Sequence, residues 1–229
     1  MPTPTNEPHR LAEVPLFAGL PPATLDALAR GSLLRRYRPG QVLCSEGDPG
    51  ETLFVLEAGQ LRVSRYSAAG QESVLAVVEA PAALGELALL DGAPRDASIT
   101  AQGAVVVRLV PRSAFLGLLR AEPAAVEGLL ATLAGWVRRA NARQADLLGL
   151  DVPGRLAKWL LARADQAGVD PRDATIELDR SQGELAAELG TTRSTLNRAL
   201  KGFEDLGLLA VRGERVVLRD PDGLAAYLA

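Results

Sequence analysis

Ser181–Lys201, SQGELAAELGTTRSTLNRALK, encodes two helices and the turn between them. Ser181 and Glu184 make an S-x-x-E capping box, in which hydroxyl and carboxylate satisfy orphan amides of the first turn. Leu185, Ala186 and Leu189 supply an apolar stripe, and Gly190 can take the positive φ that a tight turn demands. Thr191 and Thr192 offer hydroxyl caps for a second helix running to about Gly202. At about 100° per residue, Leu196, Ala199, Leu200 and Phe203 gather on one side of it, and Arg193, Ser194, Asn197 and Arg198 on the other. Thr191–Lys201 holds Arg193, Arg198 and Lys201 and no acid. Arginine can grip guanine O6 and N7 bidentately, and asparagine can do the same for adenine. The pattern predicts a helix-turn-helix with a base-reading face; the bland alternative is a solvated surface helix that happens to carry arginines.

The next residues extend the motif. Leu208–Val211 and Val216–Leu218 are short β-type runs around Arg212-Gly213-Glu214-Arg215, the pattern of a hairpin. A helix-turn-helix followed by a basic-tipped hairpin is a winged helix. Arg193, Ser194, Asn197 and Arg198 are the expected base readers, with the two arginines on guanines. Thr191, Thr192, Lys201, Arg212 and Arg215 are the expected phosphate contacts that set register.

Composition limits the alternatives. The 229-residue chain is 48% hydrophobic and 23% charged, with a net charge of −3, so it is an ordinary globular chain without a global basic field. Nucleic-acid contact must come from a local patch. A single cysteine, Cys44, leaves no internal disulfide framework and no cysteine-ligated cluster. Its place in a short apolar run suits a small buried hydrophobe. His9 is the only histidine, which excludes His-ligated metal sites and Ser-His or Cys-His catalysis. No nucleophile–base pair or Walker-type loop points to an enzyme. No run approaches a membrane span and the polar N-terminus has no signal-peptide core, so a cytoplasmic protein is expected.

Outward from the motif, the chain falls into four stretches. Residues 1–10 read as a disordered lead and 11–121 as a sensor domain. Within the latter, short helices over Leu11–Leu34 precede β-type runs at Val42–Cys44, Thr52–Leu56, Leu61–Val63, Val74–Val78 and Val105–Leu109. Glycines between the runs suit an antiparallel barrel or jelly roll. Residues 122–150 read as one long helix. Val126, Leu130, Leu133, Val137, Ala140, Gln144 and Leu147 follow a 4-3-4-3 spacing, a coiled-coil seam that predicts a homodimer. The alternative is a helix packed only on its own domain. Residues 151–229 form the winged-helix domain. The expected class is α+β.

A glycine-punctuated β-roll, a long helix and a winged helix-turn-helix, in that order, resemble the CRP/FNR family of bacterial transcription regulators. The resemblance runs from about Leu16 to Leu218. Its most specific pieces are Gly85-Glu86-Leu87 with Pro94-Arg95, the junction Leu150-Asp151-Val152-Pro153-Gly154-Arg155, and Thr192–Arg198. It implies that the first piece is a phosphate-binding cassette. There amides at the Gly85-Glu86 helix start face a cyclic phosphate, Glu86 takes the ribose hydroxyl and Arg95 pairs with the phosphate. Candidate effector residues are therefore Gly85, Glu86, Leu87, Arg95, Asp96 and Asn141. A further reading has Arg95 salt-bridged to Glu86, Asp91 or Asp96.

The sequence departs from the family pattern at three places. Asp96 stands where members that bind cyclic AMP have serine or threonine. A carboxylate about 4 Å from a phosphate would cost on the order of 1–4 kcal/mol, or roughly one to three decades of affinity. Ala140-Asn141 replaces the hydroxyl pair that contacts adenine. Both count against cyclic AMP without removing it, and beside it stand another nucleotide or anion, a cyclic dinucleotide, or no effector. Ser194 replaces the glutamate that accepts from cytosine in well-known members, so their operator does not carry over. The resemblance implies a homodimer on a pseudo-palindromic duplex, with RNA polymerase as a further partner and without metal or membrane. Two other readings stay open. One is a regulator competent without effector, its anion site closed by Asp96. The other is a nucleotide-sensing protein whose C-terminal domain docks a protein.

Overall fold

The computed structural model of the chain describes residues 10–67, 70, 72–168, 172, 174–178 and 181–228. The predicted disordered lead, Arg10 excepted, lies outside them. The described residues form two units, Met1–Val137 and Arg138–Ala229.

In the first unit, two short 3-10 turns, Leu11–Glu13 and Pro15–Phe17, precede helix α1 (Pro22–Arg30). Strands β1 (Leu33–Tyr37), β2 (Val42–Cys44), β3 (Thr52–Tyr66), β4 (Glu72–Glu79) and β5 (Ala82–Leu84) follow, then helix α2 (Glu86–Asp91) and strand β6 (Ser98–Pro111). The sheet order is β1-β6-β3-β4, with β2 on β6 and β5 on β3, and every pairing is antiparallel. Helix α3 (Arg112–Ala121) leads into the long helix α4 (Pro123–Gly149).

Thr52–Leu56 and Leu61–Val63, expected as separate strands, are one 15-residue strand. Ala58-Gly59 bends it without ending it: Gly59 has φ +85°, and the register with β6 shifts on both sides of Ala58. A Cβ at Gly59 would lie 2.6 Å from the Ala104 carbonyl oxygen, so the bulge depends on glycine. Leu53–Leu56 is apolar throughout because both faces are covered. Leu53 and Val55 enter the core with Leu16, Phe17, Leu89 and Phe115, whereas Phe54 and Leu56 enter the core with Leu84, Ile99 and Val107. Strand β1 begins at Leu33, where helix was expected through Leu34, and the short β5 went unrecognised. A buried ion pair, Arg108 Nε to Glu57 Oε1 at 2.6 Å, sits inside the roll.

In the second unit, α5 (Val152–Gln166) starts on the Asp151 cap, whose carboxylate accepts from the Gly154 amide at 2.8 Å. Strand β7 (Thr175–Glu177), helices α6 (Gln182–Glu188) and α7 (Arg193–Asp205), strands β8 (Leu209–Arg212) and β9 (Arg215–Leu218), and helix α8 (Pro221–Ala225) complete the head. Its core joins Leu156 and Leu160 of α5 to Leu185 of α6, Leu196, Leu200 and Phe203 of α7, and Val216 and Leu218 of β9. The expected hairpin is present and gains β7 on its β9 side.

Candidate nucleic-acid interface and effector site

The reading helix is set by its caps and by the core beneath it. Ser181 Oγ accepts from the Glu184 amide at 3.2 Å, and a Glu184 oxygen accepts from the Ser181 amide at 2.9 Å. Gly190 turns the chain at φ +65°, and Thr192 caps α7 by accepting from the Thr195 amide at 3.3 Å. Leu196, Ala199, Leu200 and Phe203 are buried. That leaves Thr192, Arg193, Ser194 and Arg198 exposed, with Thr191 and Asn197 half-buried. Thr192 Oγ1 lies 3.0 Å from both Ser194 Oγ and Thr195 Oγ1. Arg198 donates to Thr195 Oγ1 at 3.4 Å, so Thr195, unnoticed in the sequence, steadies a base-reading candidate.

Two expected phosphate contacts have carboxylate partners. Helix α7 continues past Gly202 to Asp205, which pairs with Lys201 at 3.0 Å; both side chains are well exposed, and that pairing pushes the Lys201 pKa up. Arg215 holds Glu177 of the unforeseen β7 at 2.7 Å, again at the surface. Arg212 is exposed where β8 ends.

In the roll, Gly85 takes φ +82° and caps α2. Beside it lies Arg95, 5% exposed. Its guanidinium donates to the Gly85 carbonyl at 2.7 Å and to the Thr52 carbonyl, and it stacks 4.8 Å from the Phe54 ring centroid. A Cβ at Gly85 would meet Arg95 Nη1 at 2.4 Å. Arg95 Nε is buried without a hydrogen-bond partner. Among the described residues no carboxylate forms an ion pair with Arg95, so the bridges to Glu86, Asp91 or Asp96 are not made. Glu86 is buried too, and that burial raises its pKa. Leu87 projects outward, 48% exposed. The structure thus brings Gly85, Glu86 and Arg95 together.

Asp96 does not join them. Arg95 points inward, whereas the Asp96 side chain is 61% exposed beside Arg65, at 3.6 Å. Arg65 also grips Glu46 at 2.7 Å. The carboxylate of Asp96 thus has a cationic partner of its own in Arg65. Cys44 is buried, and burial pushes its thiol pKa up. Asn141 and Ala140 are exposed on α4.

Along α4, Ala125 and Leu129 pack on the roll core, and Leu133 joins them from the expected seam. Leu130 and Val137 stay 60% and 58% exposed. Ala140 and Gln144 are also exposed, and Val126 is half-buried. Leu147 is drawn toward its own head: a Cβ at Gly190 would lie 2.8 Å from its Cδ2.

Two domain families match the chain: the cyclic nucleotide-binding domain over residues 34–122 and the Crp-like helix-turn-helix domain over residues 154–227. The chain is also 32% identical over 216 residues to a CRP-like cAMP-activated global transcriptional regulator of Mycobacterium tuberculosis, spanning 94% of this chain and 96% of the relative. The chain belongs to the CRP/FNR family of transcription regulators. The cyclic AMP receptor protein of Thermus thermophilus is 30% identical, over 90% of this chain and 93% of its own. Among solved structures, the Thermus thermophilus catabolite activator protein matches at TM-score 0.53 and 29% identity, covering 93% and 98% of the two chains. A CooA mutant from Carboxydothermus hydrogenoformans matches at TM-score 0.78 and 21% identity, over 97% of each chain, a likeness of fold alone. This CRP/FNR protein is a ligand-controlled, DNA-binding transcription regulator, and its relatives are regulators rather than enzymes. Among the described residues, no helix is long and apolar enough to cross a membrane.

Proposed function

We propose that this regulator binds an anionic cyclic nucleotide in its roll through Gly85, Glu86 and Arg95, and that its homodimer reads a pseudo-palindromic operator. The observation that carries the effector reading is Arg95, a buried guanidinium with an unpartnered Nε and carbonyls rather than carboxylates on its other nitrogens. A buried cation without a counter-charge is costly, and a phosphate supplies that charge through charge-assisted hydrogen bonds. Glu86, held off its ordinary ionisation by burial, suits a hydroxyl-bearing sugar. With Asp96 paired to Arg65, cyclic AMP stands among the candidates beside cyclic GMP and cyclic dinucleotides. Asn141 supplies an amide able to pair with a base edge.

On the DNA side, Arg193 and Arg198 read guanines, Ser194 and Asn197 tune neighbouring positions, and Thr191, Thr192 and Arg212 fix register on phosphates. Lys201 and Arg215 reach phosphates by exchanging their surface carboxylates, a low cost for exposed pairs. Val126, Leu130, Val137, Ala140 and Gln144 form the dimer seam, so that two reading helices fall about 34–36 Å apart. RNA polymerase is the further partner that family kinship suggests, and the cytoplasm is the expected compartment.

Calorimetric titration of the full-length protein with cyclic AMP, cyclic GMP and a cyclic dinucleotide tests the effector reading. Wild type should bind one of them, Arg95→Met should abolish that binding, and Asp96→Ser should change it by less than about threefold. Absence of binding to all three, or binding that survives Arg95→Met, overturns the assignment. Selection of bound duplexes at fixed salt, with and without the bound nucleotide, then yields the operator.

A further inference from the structure

Helix α6 has only seven residues, and the last four carbonyls of any helix lack intrahelical partners. Here two arginines from outside the helix take consecutive carbonyls at that end. Arg143, on α4, donates through Nη2 to the Glu188 carbonyl at 2.8 Å, and Arg155, in the first turn of α5, donates through Nε to the Leu189 carbonyl at 2.8 Å. Cations are favoured at helix C-termini, where the dipole and free carbonyls present negative charge. Arg155 also donates through Nη1 to the Leu150 carbonyl at 2.6 Å, so one guanidinium fastens the chain just after α4 to the end of α6.

The same face of α4 makes further contacts. Arg143, Asp146 and Leu147 are spaced i, i+3, i+4 and so lie together. Asp146 pairs with Lys158 of α5. Leu147 packs where a side chain at Gly190 would intrude. Trp159 Nε1 donates to a Glu188 carboxylate oxygen at 3.3 Å. The bonds from Arg143, Arg155 and Trp159 and the Leu147 contact meet at Glu188-Leu189-Gly190, the turn that sets the direction in which α7 leaves α6, while the Asp146–Lys158 pair holds α4 to α5.

We infer that Arg143 is a positioning residue for DNA reading: its bond to the Glu188 carbonyl ties the α6–α7 turn to the last turns of α4 and fixes the angle of the reading helix. Arg143 touches no base in this role, and it acts through α6. The reading face stays open while the clamp is closed, since Arg193, Ser194 and Arg198 are exposed. On this inference the clamped head is the DNA-competent one. Loosening the clamp weakens sequence-specific binding more than general attraction to phosphates, because only base reading depends on the angle.

The test compares full-length wild type with Arg143→Met, Arg143→Lys and Arg193→Ala on the selected operator and on a scrambled duplex at one salt concentration. Arg143→Met should lose about tenfold in operator affinity, the scale of one charge-assisted hydrogen bond, with scrambled-duplex affinity and melting temperature unchanged. Arg143→Lys, which keeps a cationic donor, should recover most of that loss. Amide exchange at Leu189–Thr191 should quicken in Arg143→Met and return in Arg143→Lys. Unchanged operator affinity in Arg143→Met, beside a clear loss in Arg193→Ala, overturns the clamp alone; no loss in either overturns the reading face as well. Equal losses on both duplexes with a lower melting temperature, seen in Arg143→Met and again in Arg143→Gln, reduce Arg143 to structural support and also overturn the inference.

Discussion

The roll and the reading head both rest on arginine, in opposite settings. Arg95 is buried, braced by two carbonyls and an aromatic ring, whereas Arg193 and Arg198 stand in solvent on a helix that needs them for nothing structural. A buried guanidinium is a preformed receptor: its geometry is fixed before the ligand arrives, and removing it damages the surroundings. An exposed guanidinium is nearly neutral for folding and shows its value only against DNA. Stability and function should therefore separate cleanly in the head and remain entangled in the roll.

The largest expected effect breaks the roll. Arg108→Leu strands the buried Glu57 carboxylate and should cost about 3–5 kcal/mol of stability, seen as a lowered melting transition in calorimetry. In the head, Arg193→Ala and Arg198→Ala should each cost about 1–3 kcal/mol of operator affinity, measured by fluorescence anisotropy, without moving that transition. Ser181→Ala removes the capping box beneath the reading helix and should cost roughly 1 kcal/mol of head stability in denaturant unfolding.

A subtler test concerns Glu86. Its folded pKa is raised by burial, so the folded state holds the proton more tightly than the unfolded chain. Its contribution is fully present below the ordinary glutamate pKa and is lost as pH rises through the raised value. Effector-free Glu86→Gln should therefore melt above wild type near pH 8, and the gap should close toward pH 5. The smallest expected effect belongs to the wing: Glu177→Gln frees Arg215 from an exposed pair and should tighten DNA binding by less than about fivefold.

The same contrast explains what the sequence made legible. The reading face lies within one 21-residue stretch, where helical periodicity alone sorts Leu196 and Leu200 from Arg193 and Arg198. The capping box of Ser181 and Glu184 is a local pattern of the same kind. The candidate effector site gathers Thr52, Phe54, Gly85 and Arg95, brought together by strand pairing that no local period records. The pairing of Asp96 with Arg65 was illegible for that reason: Arg65 lies on β3, 31 residues earlier in the chain. Gly59 was read as a break because glycine marks both turns and bulges. β7 went unseen because Thr175-Ile176-Glu177 holds one apolar residue, whereas the equally short Val42–Cys44 is apolar throughout.

Gly50 lies flush under α2, and a Cβ there would come within 2.3 Å of the Ala88 Cβ. A single methyl group at position 50 would lift the segment that carries Glu86, so the floor of this compartment has no slack. Anyone retargeting the roll toward a new small molecule by directed evolution should hold residues 50 and 88 constant.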